Sequence, residues 1–448
     1  MHGRDQRRFR LLRLLRGRGP RLAALAIVLV LTAASCGKSS TGGSSANTNK
    51  ASAPGITPTT ITIGSTQPLT GPAAPGYSEI APASNAYFQY VNDNGGVFGR
   101  KIVYKYLDDG YNPAQTTANT RKLVLQDQVF AIFSALGTPT HLAVVDYLNS
   151  QKVPDLFVSS GCNCWNDVAK HPYTFGFQPD YTIEGKILGQ YIQQQFAGKK
   201  IGYFYQNDEF GLDGVKGLDQ QIPAASVVSR QSYVPTNTNV GPQLAALQSK
   251  GAEVVVMFSI PAFTTLGLLA AAKIGYHPQF VVSNVGSDPI TLTGLLKAFT
   301  KGAVGPALLN GLISDTYLPP VTDDSNPWIQ LFKKIHDQYI PKLPFDGNVE
   351  YGMAQAYTFV QLLKAAGRNP TRASIVHTLE TTKLSGGPGL VPFGFSPSNH
   401  LGYLGVQLAR LDNGKVVPFG PIQLSSDSGP ITQSNETPAS PPANGIAS

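Results

Sequence analysis

Strand patterns and helix patterns alternate along the chain in two runs, and this alternation constrains the fold more than any other feature. The first run covers residues 60–158 and the second begins at residue 200. Strands connected by helices favour parallel pairing in sheets covered by those helices, so two runs predict an α/β fold with two open, mainly parallel sheets. The predicted strands are 60–65, 101–107, 129–134, 153–158, 200–205, 230–234, 253–259 and 279–284, and the predicted helices are 79–93, 139–150, 211–221, 241–250 and 262–274, with another beginning at residue 113.

The turn from Gly137 to Thr140 follows a predicted strand and precedes a predicted helix. We predict Thr138 as the N-cap and Pro139 as the first helical residue, which leaves the amides of Thr140 and His141 without acceptors inside the helix. Free amides and the helix dipole favour an anion such as a carboxylate, and open α/β sheets bind ligands beyond the carboxyl ends of their strands. The alternative is that Thr138 caps these amides itself and that nothing binds there.

The positive charge of the chain is concentrated at its N-terminus. Residues 1–35 contain eight arginines, no lysine and one acid, a charge of +7 out of the net +8, which leaves +1 for the rest. A nearly neutral body lacks the basic surface that nucleic-acid binding requires, so we expect no nucleic-acid partner. Basic residues followed by an apolar run too short to span a membrane, and then by small residues, are typical of an export signal.

Cys36 comes directly after those small residues. We therefore predict that residues 1–35 are a lipoprotein signal peptide, that cleavage occurs before Cys36, and that the Cys36 sulfur carries a lipid. The alternative is an ordinary secretory signal beside a chance cysteine. Polar, small residues predict a flexible tether over 36–58, and a similar composition predicts a disordered tail over 425–448.

The sequence lacks the common motifs of catalysis and metal binding. It has no G-x-S-x-G, H-E-x-x-H or Walker motif, and Cys162, Cys164 and His171 have no second ligand cluster at a suitable spacing. We expect no enzymatic activity, no metal site and no cofactor. An exported protein can form disulfides, but a bridge between cysteines two residues apart closes a small ring, so the bridged and reduced forms both remain open.

From about residue 61 to residue 419, the sequence resembles the substrate-binding lipoproteins of ABC importers, specifically the leucine/isoleucine/valine-binding family of the type I periplasmic-binding-protein fold. The order and spacing of several segments carry this resemblance, among them ITIGSTQPLTGPAA, VNDNGGVFGRKI, ALGTPTHLAVVDYLNSQKVPDLFVSSG, FGFQPDY, YQNDEFG and VVSNVGSDP. It implies two lobes joined by a three-segment hinge. Lobe 1 would comprise 59–178 and 312–388, and lobe 2 would comprise 180–310 and 392–424.

The resemblance also implies a function and a location. Members of this family capture a small ligand in the cleft between the lobes and deliver it to a membrane permease driven by separate ATPase subunits. We therefore expect a monomer, anchored by its lipid on the extracytoplasmic face of the cell membrane, that binds a branched-chain or other amino acid or a related small organic acid. The alternative is a ligand-sensing receptor module for a small amide, urea-like or aromatic solute.

Binding positions of the family can be transferred to this sequence residue by residue. The hydroxyl that holds the ligand carboxylate would be that of Thr140, with Thr138 nearby. The end of the next strand would supply further backbone and hydroxyl groups, and these would come from Ser159, Ser160 and Gly161. These assignments predict a ligand carboxylate at the strand ends of lobe 1.

Further positions concern the cleft wall and lobe 2. Tyr77, after the PLTG turn, would line the cleft. Cys162 stands where the family has a threonine, and Asn284 stands where amino-acid binders place a glutamate that meets the ligand ammonium group, with Asp288 further along. The departure at Asn284 leaves open whether the ligand carries an α-amino group, and the alternative for this residue is a hydrogen bond to a neighbouring loop.

Overall fold

The computed structural model describes residues 48–447, which form two lobes, each built on one sheet. The sheet of lobe 1 is parallel and has the strand order β2-β1-β3-β4-β5. Its elements are β1 (Thr60–Gln67), α1 (Ala74–Tyr77), α2 (Ile80–Asp93), β2 (Lys101–Asp108), α3 (Pro113–Leu125), β3 (Ile132–Phe133), α4 (Thr138–Leu142), α5 (Val145–Ser150), β4 (Asp155–Val158) and β5 (Thr174–Gly176).

Lobe 2 follows in the chain with five parallel strands. Its elements are α6 (Tyr181–Gln195), β6 (Ile201–Gln206), α7 (Glu209–Asp219), β7 (Val227–Tyr233), α8 (Gly241–Ser249), β8 (Val254–Phe258), α9 (Pro261–Lys273), β9 (Gln279–Val282), α10 (Pro289–Thr300) and β10 (Ile313–Thr316).

The chain then returns to lobe 1 and crosses once more to lobe 2. Helices α11 (Pro327–Tyr339) and α12 (Gly347–Ala365) pack on α2, and α13 (Arg372–Thr381) packs on α12. Strands β11 (Gly405–Asp412), β12 (Lys415–Leu424) and β13 (Thr432–Ser434) extend the second sheet in antiparallel fashion, which gives the order β13-β12-β11-β10-β9-β8-β6-β7. The predicted α/β fold with two mainly parallel sheets is thus confirmed.

Local sequence signals explain where several elements begin and end. The helix predicted to begin at residue 113 does so: Pro113 occupies the first helical position of α3, and the Asn112 side chain caps it by accepting from the Ala114 amide at 2.9 Å. The predicted strand 129–134 is reduced to residues 132–133, and the φ of 57° at Ser134 ends β3 on its C-terminal side. The predicted helix 139–150 is split into α4 and α5 around Val144, whose φ of −128° is not helical.

The hinge lies where three crossing segments contact one another. The Tyr403 amide donates to the Phe177 carbonyl at 2.9 Å, and the Leu390 amide donates to the Tyr317 carbonyl at 2.8 Å. The predicted lobe boundary at residue 312 needs a correction, because residues 313–316 form β10 and pair with β9 and β11 inside the sheet of lobe 2. The second crossing therefore begins at Tyr317.

The C-terminal segment is ordered, which corrects the prediction of a disordered tail over 425–448. Residues 432–434 form the edge strand β13 of lobe 2. Lys186 of α6 donates to the carbonyls of Ser426 and Gly429 at 2.7 and 2.6 Å. Beyond β13, the chain returns to lobe 1, where the Tyr87 hydroxyl donates to the Gly445 carbonyl at 2.8 Å. Small polar residues predicted disorder, but their backbone groups meet donors from distant helices.

The described part of the predicted tether, residues 48–58, also lies against lobe 1. Ser52 donates to the Pro370 carbonyl at 2.7 Å, Arg100 donates to the Lys50 carbonyl at 2.9 Å, and Ile56 is buried. The predicted signal peptide and Cys36 lie outside the described residues. Within residues 48–447, no helix combines the length and the apolar character that crossing a membrane requires.

Removal of residues 435–448 should destabilise lobe 1. The truncation deprives the hydroxyls of Tyr87 and Tyr90 of their acceptors, the carbonyls of Gly445 and Asn444, and uncovers apolar surface under the buried Ala447. Two lost hydrogen bonds alone contribute about 1–3 kcal/mol. We expect a lower free energy of unfolding in urea denaturation.

A double substitution provides the matched control for this truncation. Tyr87→Phe with Tyr90→Phe should destabilise the full chain and should have a clearly smaller effect in the truncated chain, where neither hydroxyl has its acceptor. Equal effects in both chains, or a truncation that leaves the urea midpoint unchanged, would contradict the structural role of this segment.

Candidate ligand-binding site between the lobes

A cavity of about 150 Å³ lies between the lobes, beyond the carboxyl ends of strands from both sheets. Four of the residues predicted from the sequence line it: Tyr77, Thr138, Ser159 and Asn284. Thr140, Ser160 and Gly161 lie behind that wall instead. The cavity therefore lies where open α/β sheets are expected to bind ligands, beyond the carboxyl ends of their strands.

The Gly-Thr-Pro-Thr turn presents Thr138 to the cavity rather than Thr140. Gly137 is the N-cap of α4, with a φ of 105° that suits glycine, so Thr138 is the first helical residue and not the cap. The Thr138 hydroxyl is 2.7 Å from that of Ser160. Thr140 is fully buried, and its hydroxyl donates to the Leu136 carbonyl at 2.7 Å. The assignment of a ligand carboxylate to the Thr140 hydroxyl is corrected accordingly.

The second strand-end turn contributes one hydroxyl to the cavity. Ser159 lines it, and its Oγ accepts from Gln355 Nε2 of α12 at 3.1 Å. Gly161 supports the first crossing, because its carbonyl accepts from the Tyr181 amide at 2.7 Å and an added Cβ would lie 2.3 Å from the Pro179 carbonyl oxygen. The adjacent cysteines, Cys162 and Cys164, form a disulfide, which resolves the alternative that the sequence left open.

Asn284 connects two buried carboxyl groups. Its side-chain amide donates to Glu184 Oε1 at 2.9 Å and to Asp315 Oδ1 at 2.8 Å, and its backbone amide donates to Glu184 Oε1 at 2.8 Å. The residue lines the cavity while both of its amide hydrogens are directed to carboxylates. Asn284 replaces the glutamate of amino-acid binders, but an acid still lies at this end of the cavity, namely Asp315 from β10.

Burial changes the protonation of this pair. It raises the pKa of Asp315 to about 7, and it raises the pKa of Glu184 well above its usual range, with repulsion between the two carboxyl groups as the second cause. A hydrogen bond between the two carboxyl groups contributes to the same shifts, raising the pKa of Glu184 and lowering that of Asp315. Glu184 is therefore the member of the pair that holds a proton and donates it to Asp315.

A second acidic group comes from lobe 1. Glu350, in the first turn of α12, lines the cavity and is 2 % exposed. Burial raises its pKa well above its usual range, and repulsion from Asp288 adds to this effect. Asp288, at the start of α10, also lines the cavity. The sequence did not single out Glu184, Asp315 or Glu350, because nothing local to these residues marks them as neighbours.

Aromatic side chains form much of the remaining wall. The sequence pointed to Tyr77, whose hydroxyl crosses the cleft and donates to the Val285 carbonyl at 2.9 Å. Five further aromatic residues, which the sequence did not single out, line the cavity with it: Tyr111, Tyr181, Phe210, Tyr317 and Tyr351. The described wall contains no lysine, arginine or histidine. The cavity is therefore aromatic and acidic in character.

Two helix N-termini meet across the cleft and share their caps. Asp288 caps α10 of lobe 2 through the Thr291 amide at 2.7 Å, and its other oxygen accepts from the Gly347 amide at the start of α12 in lobe 1, at 3.1 Å. Asp346 caps α12, and its Oδ2 accepts from the Thr291 hydroxyl at 2.7 Å. These bonds hold the lobes closed over the cavity.

Comparison with known proteins agrees with this geometry. A family model described as periplasmic binding protein matches residues 60–415. The chain is 23% identical over 354 residues to Leu/Ile/Val-binding protein homolog 7 of Brucella suis, covering 75% of this chain and 84% of that one. It is 23% identical over 385 residues to Leu/Ile/Val-binding protein homolog 8 of Brucella melitensis, covering 81% and 90%.

Solved structures share the fold. A branched-chain amino acid ABC transporter protein from Thermus thermophilus with bound valine superposes with a TM-score of 0.72 at 19% identity, covering 82% of this chain and 97% of that one. A fatty acid ABC transporter substrate-binding protein from Thermomonospora curvata superposes with a TM-score of 0.71 at 23% identity, covering 86% and 95%. Proteins of this family bind substrates and are not enzymes, as the sequence predicted. The chain belongs to the type I periplasmic binding proteins, in the leucine/isoleucine/valine-binding family.

Proposed function

We propose that this protein encloses a small solute between its lobes on the extracytoplasmic side of the membrane and delivers it to the permease and ATPase subunits of an ABC importer. The cavity of about 150 Å³, walled by both lobes, is the observation that supports this proposal most directly. An apolar cavity of that size in another protein binds benzene, so a ligand of roughly five to ten non-hydrogen atoms is a suitable match. Ligand contacts on both lobes favour the closed arrangement.

Size and charge narrow the choice of ligand. The names of the Brucella relatives and the valine in the Thermus structure make branched-chain amino acids the first candidates. The Thermomonospora structure is that of a fatty acid transporter protein, and a cavity of about 150 Å³ suits a short aliphatic chain better than a long one. The described wall also offers a carboxylate no basic side chain. A small organic acid without an amino group is therefore a poorer candidate than the sequence suggested.

A ligand screen should reveal thermal stabilisation by a member of the branched-chain amino acids. A ligand that binds only the folded protein, present at 100 times its dissociation constant, stabilises it by about 2.7 kcal/mol. Differential scanning fluorimetry with valine, leucine, isoleucine, phenylacetate, acetamide and urea provides the measurement, with glucose as the control solute. If no compound of any class raised the unfolding midpoint at millimolar concentration, capture of such solutes would be ruled out.

Loss of the shared cap should shift the protein towards the open form. Thr291→Val preserves side-chain shape but removes the hydroxyl that donates to Asp346 and accepts from the Asn348 side-chain amide at 3.1 Å. A hydrogen bond contributes roughly 1 kcal/mol, so we expect about fivefold weaker ligand binding and a larger radius of gyration in small-angle scattering.

Thr117→Val is the matched control for this experiment, because the Thr117 hydroxyl donates only within its own helix, to the Pro113 carbonyl at 2.9 Å. It should leave affinity and scattering unchanged. Closure on binding would be contradicted by identical scattering profiles of the wild type with and without a saturating ligand from the screen.

Membrane attachment through Cys36 can be tested independently of ligand binding. Cys36→Ser removes the sulfur that would carry the lipid, so we expect the protein in the soluble extracytoplasmic fraction instead of the membrane fraction. Fractionation followed by immunoblotting measures this distribution, and Ser39→Ala, in the same segment, is the control. A Cys36→Ser protein that fractionated with membranes as the wild type does would refute the anchor.

A further inference from the structure

Two buried residues at the strand ends of lobe 1 have left-handed backbones although neither is glycine. Ser134 directly follows β3 and has a φ of 57°, and Phe157 lies in β4 and has a φ of 60°. Both are fully buried. This conformation is uncommon for residues with a side chain, and it persists only where the surrounding structure imposes it. Other groups in the fold must therefore hold these two backbones in place.

Gln355 of α12 contacts both left-handed residues. Its Oε1 accepts from the Ser134 hydroxyl at 2.5 Å, and its Nε2 donates to the Phe157 carbonyl at 2.9 Å. Gln67 of β1 also donates to the Ser134 carbonyl, whereas Gln355 meets both turns. Gln355 is fully buried behind the cavity wall. A primary amide carries its donors and its acceptor in one plane, so this single side chain fixes the two strand ends relative to each other.

Each left-handed residue lies two positions before a residue of the cavity wall. Ser134 precedes Leu136 in this way, and Phe157 precedes Ser159. The two turns are also bonded to each other, because the Ser159 amide donates to the Ala135 carbonyl at 2.9 Å. The backbone conformation at the two left-handed positions therefore determines where this part of the wall lies.

Gln355 also contacts two side chains of the wall directly. Its Nε2 lies 3.1 Å from Ser159 Oγ and 3.0 Å from the hydroxyl of Tyr351, one turn earlier on α12. The Tyr351 hydroxyl donates to Gln178 Oε1 at 3.0 Å, in the segment that connects β5 to α6. The Gln178 amide then donates to the Tyr181 hydroxyl at 3.2 Å, at the start of lobe 2. Hydrogen bonds thus connect Gln355 through the cavity wall to the first crossing between the lobes.

We propose that Gln355 is a positioning residue of the ligand site, which holds Ser159 and the turn at residues 135–138 where the ligand meets lobe 1. This inference rests on the proposed function, because it concerns the same cleft. An apolar side chain of similar length would deprive the Ser134 hydroxyl and the Phe157 carbonyl of their bonds to the amide. Both turns would then relax towards commoner backbone conformations, and the wall would move with them.

Hydrogen exchange in the ligand-free protein provides the first test. Gln355→Met retains an unbranched side chain of similar size but removes the amide. We expect roughly fivefold faster amide exchange in residues 134–140 and 157–161, because the lost hydrogen bonds make local opening easier. Mass spectrometry of peptides from these segments measures the rates. Strand β8 of lobe 2 should exchange as it does in the wild type.

Thr358→Val is the matched control. Thr358 is also fully buried on α12, and its hydroxyl donates within that helix, to the Ala354 carbonyl at 2.9 Å. The substitution removes a buried polar group from the same helix without touching either turn. It should leave the exchange of both segments and the affinity for ligand unchanged.

Calorimetric titration with L-valine provides the second test. Gln355→Met should weaken binding about fivefold, which corresponds to the net loss of one hydrogen bond. A double-mutant cycle separates positioning from a general loss of structure. In a Ser159→Ala background, Gln355→Met should have a clearly smaller effect on affinity, because the hydroxyl that Gln355 positions is already absent. A merely structural role would weaken binding equally in both backgrounds.

Three results would overturn the inference. They are wild-type exchange of both turns in Gln355→Met, an equal acceleration of exchange in β8, and equal effects of Gln355→Met on valine affinity in the two backgrounds. If Gln355→Met fails to fold, Ser134→Ala replaces it with the same measurements, because this change removes the hydroxyl that donates to Gln355 Oε1.

The outcomes also separate this inference from the proposed function. Valine binding that Gln355→Met leaves unchanged would refute the positioning role and leave solute capture intact. A wild-type protein that bound neither valine nor any compound of the screen would refute solute capture, and with it the role of Gln355 in a ligand site.

Discussion

The contact of Asn284 with Glu184 and Asp315 is the interaction on which the cavity depends. Both carboxyl groups are buried, and each accepts one hydrogen bond from the same side-chain amide. Without that amide each buried acid would lose a hydrogen-bond donor, which is costly in a medium of low dielectric constant. Asn284 therefore holds a pair of acids at the end of the cleft, and Asp315 is the member that reaches the cavity.

The lobes are held together by hydrogen bonds in which each lobe supplies a polar partner to the other. The Asp288 carboxylate caps its own helix and also accepts from the first amide of α12 in the other lobe, while Asp346 accepts from the Thr291 hydroxyl in return. Helix N-termini have amides without internal partners, so this exchange satisfies groups that water would otherwise solvate. The lobes thus meet through directed bonds as well as through apolar contact.

The chemistry of the cavity differs from what its family resemblance suggested. The turn at residues 137–140 was expected to hold a carboxylate, yet the hydroxyl of Thr140 is bonded inside the protein and the cavity wall carries acids. Relatives with 22–23% identity align with three quarters of this chain, but such similarity does not transfer a ligand, because ligand choice depends on a few side chains in the cleft.

The sequence by itself determined the two α/β sheets, the start of α3 and the strand-end turn at residues 137–140, whereas the second turn, at residues 159–161, was implied by the family resemblance. Apolar periodicity and capping residues report local conformation, so these features were readable in the chain. Only the tertiary structure decided which acids line the cleft, since Asn284 lies 100 residues from Glu184 and 31 from Asp315. It also decided that residues 432–447 are ordered, because the partners of this polar segment lie on distant helices. Contacts between residues far apart in sequence arise from packing, which no local pattern encodes.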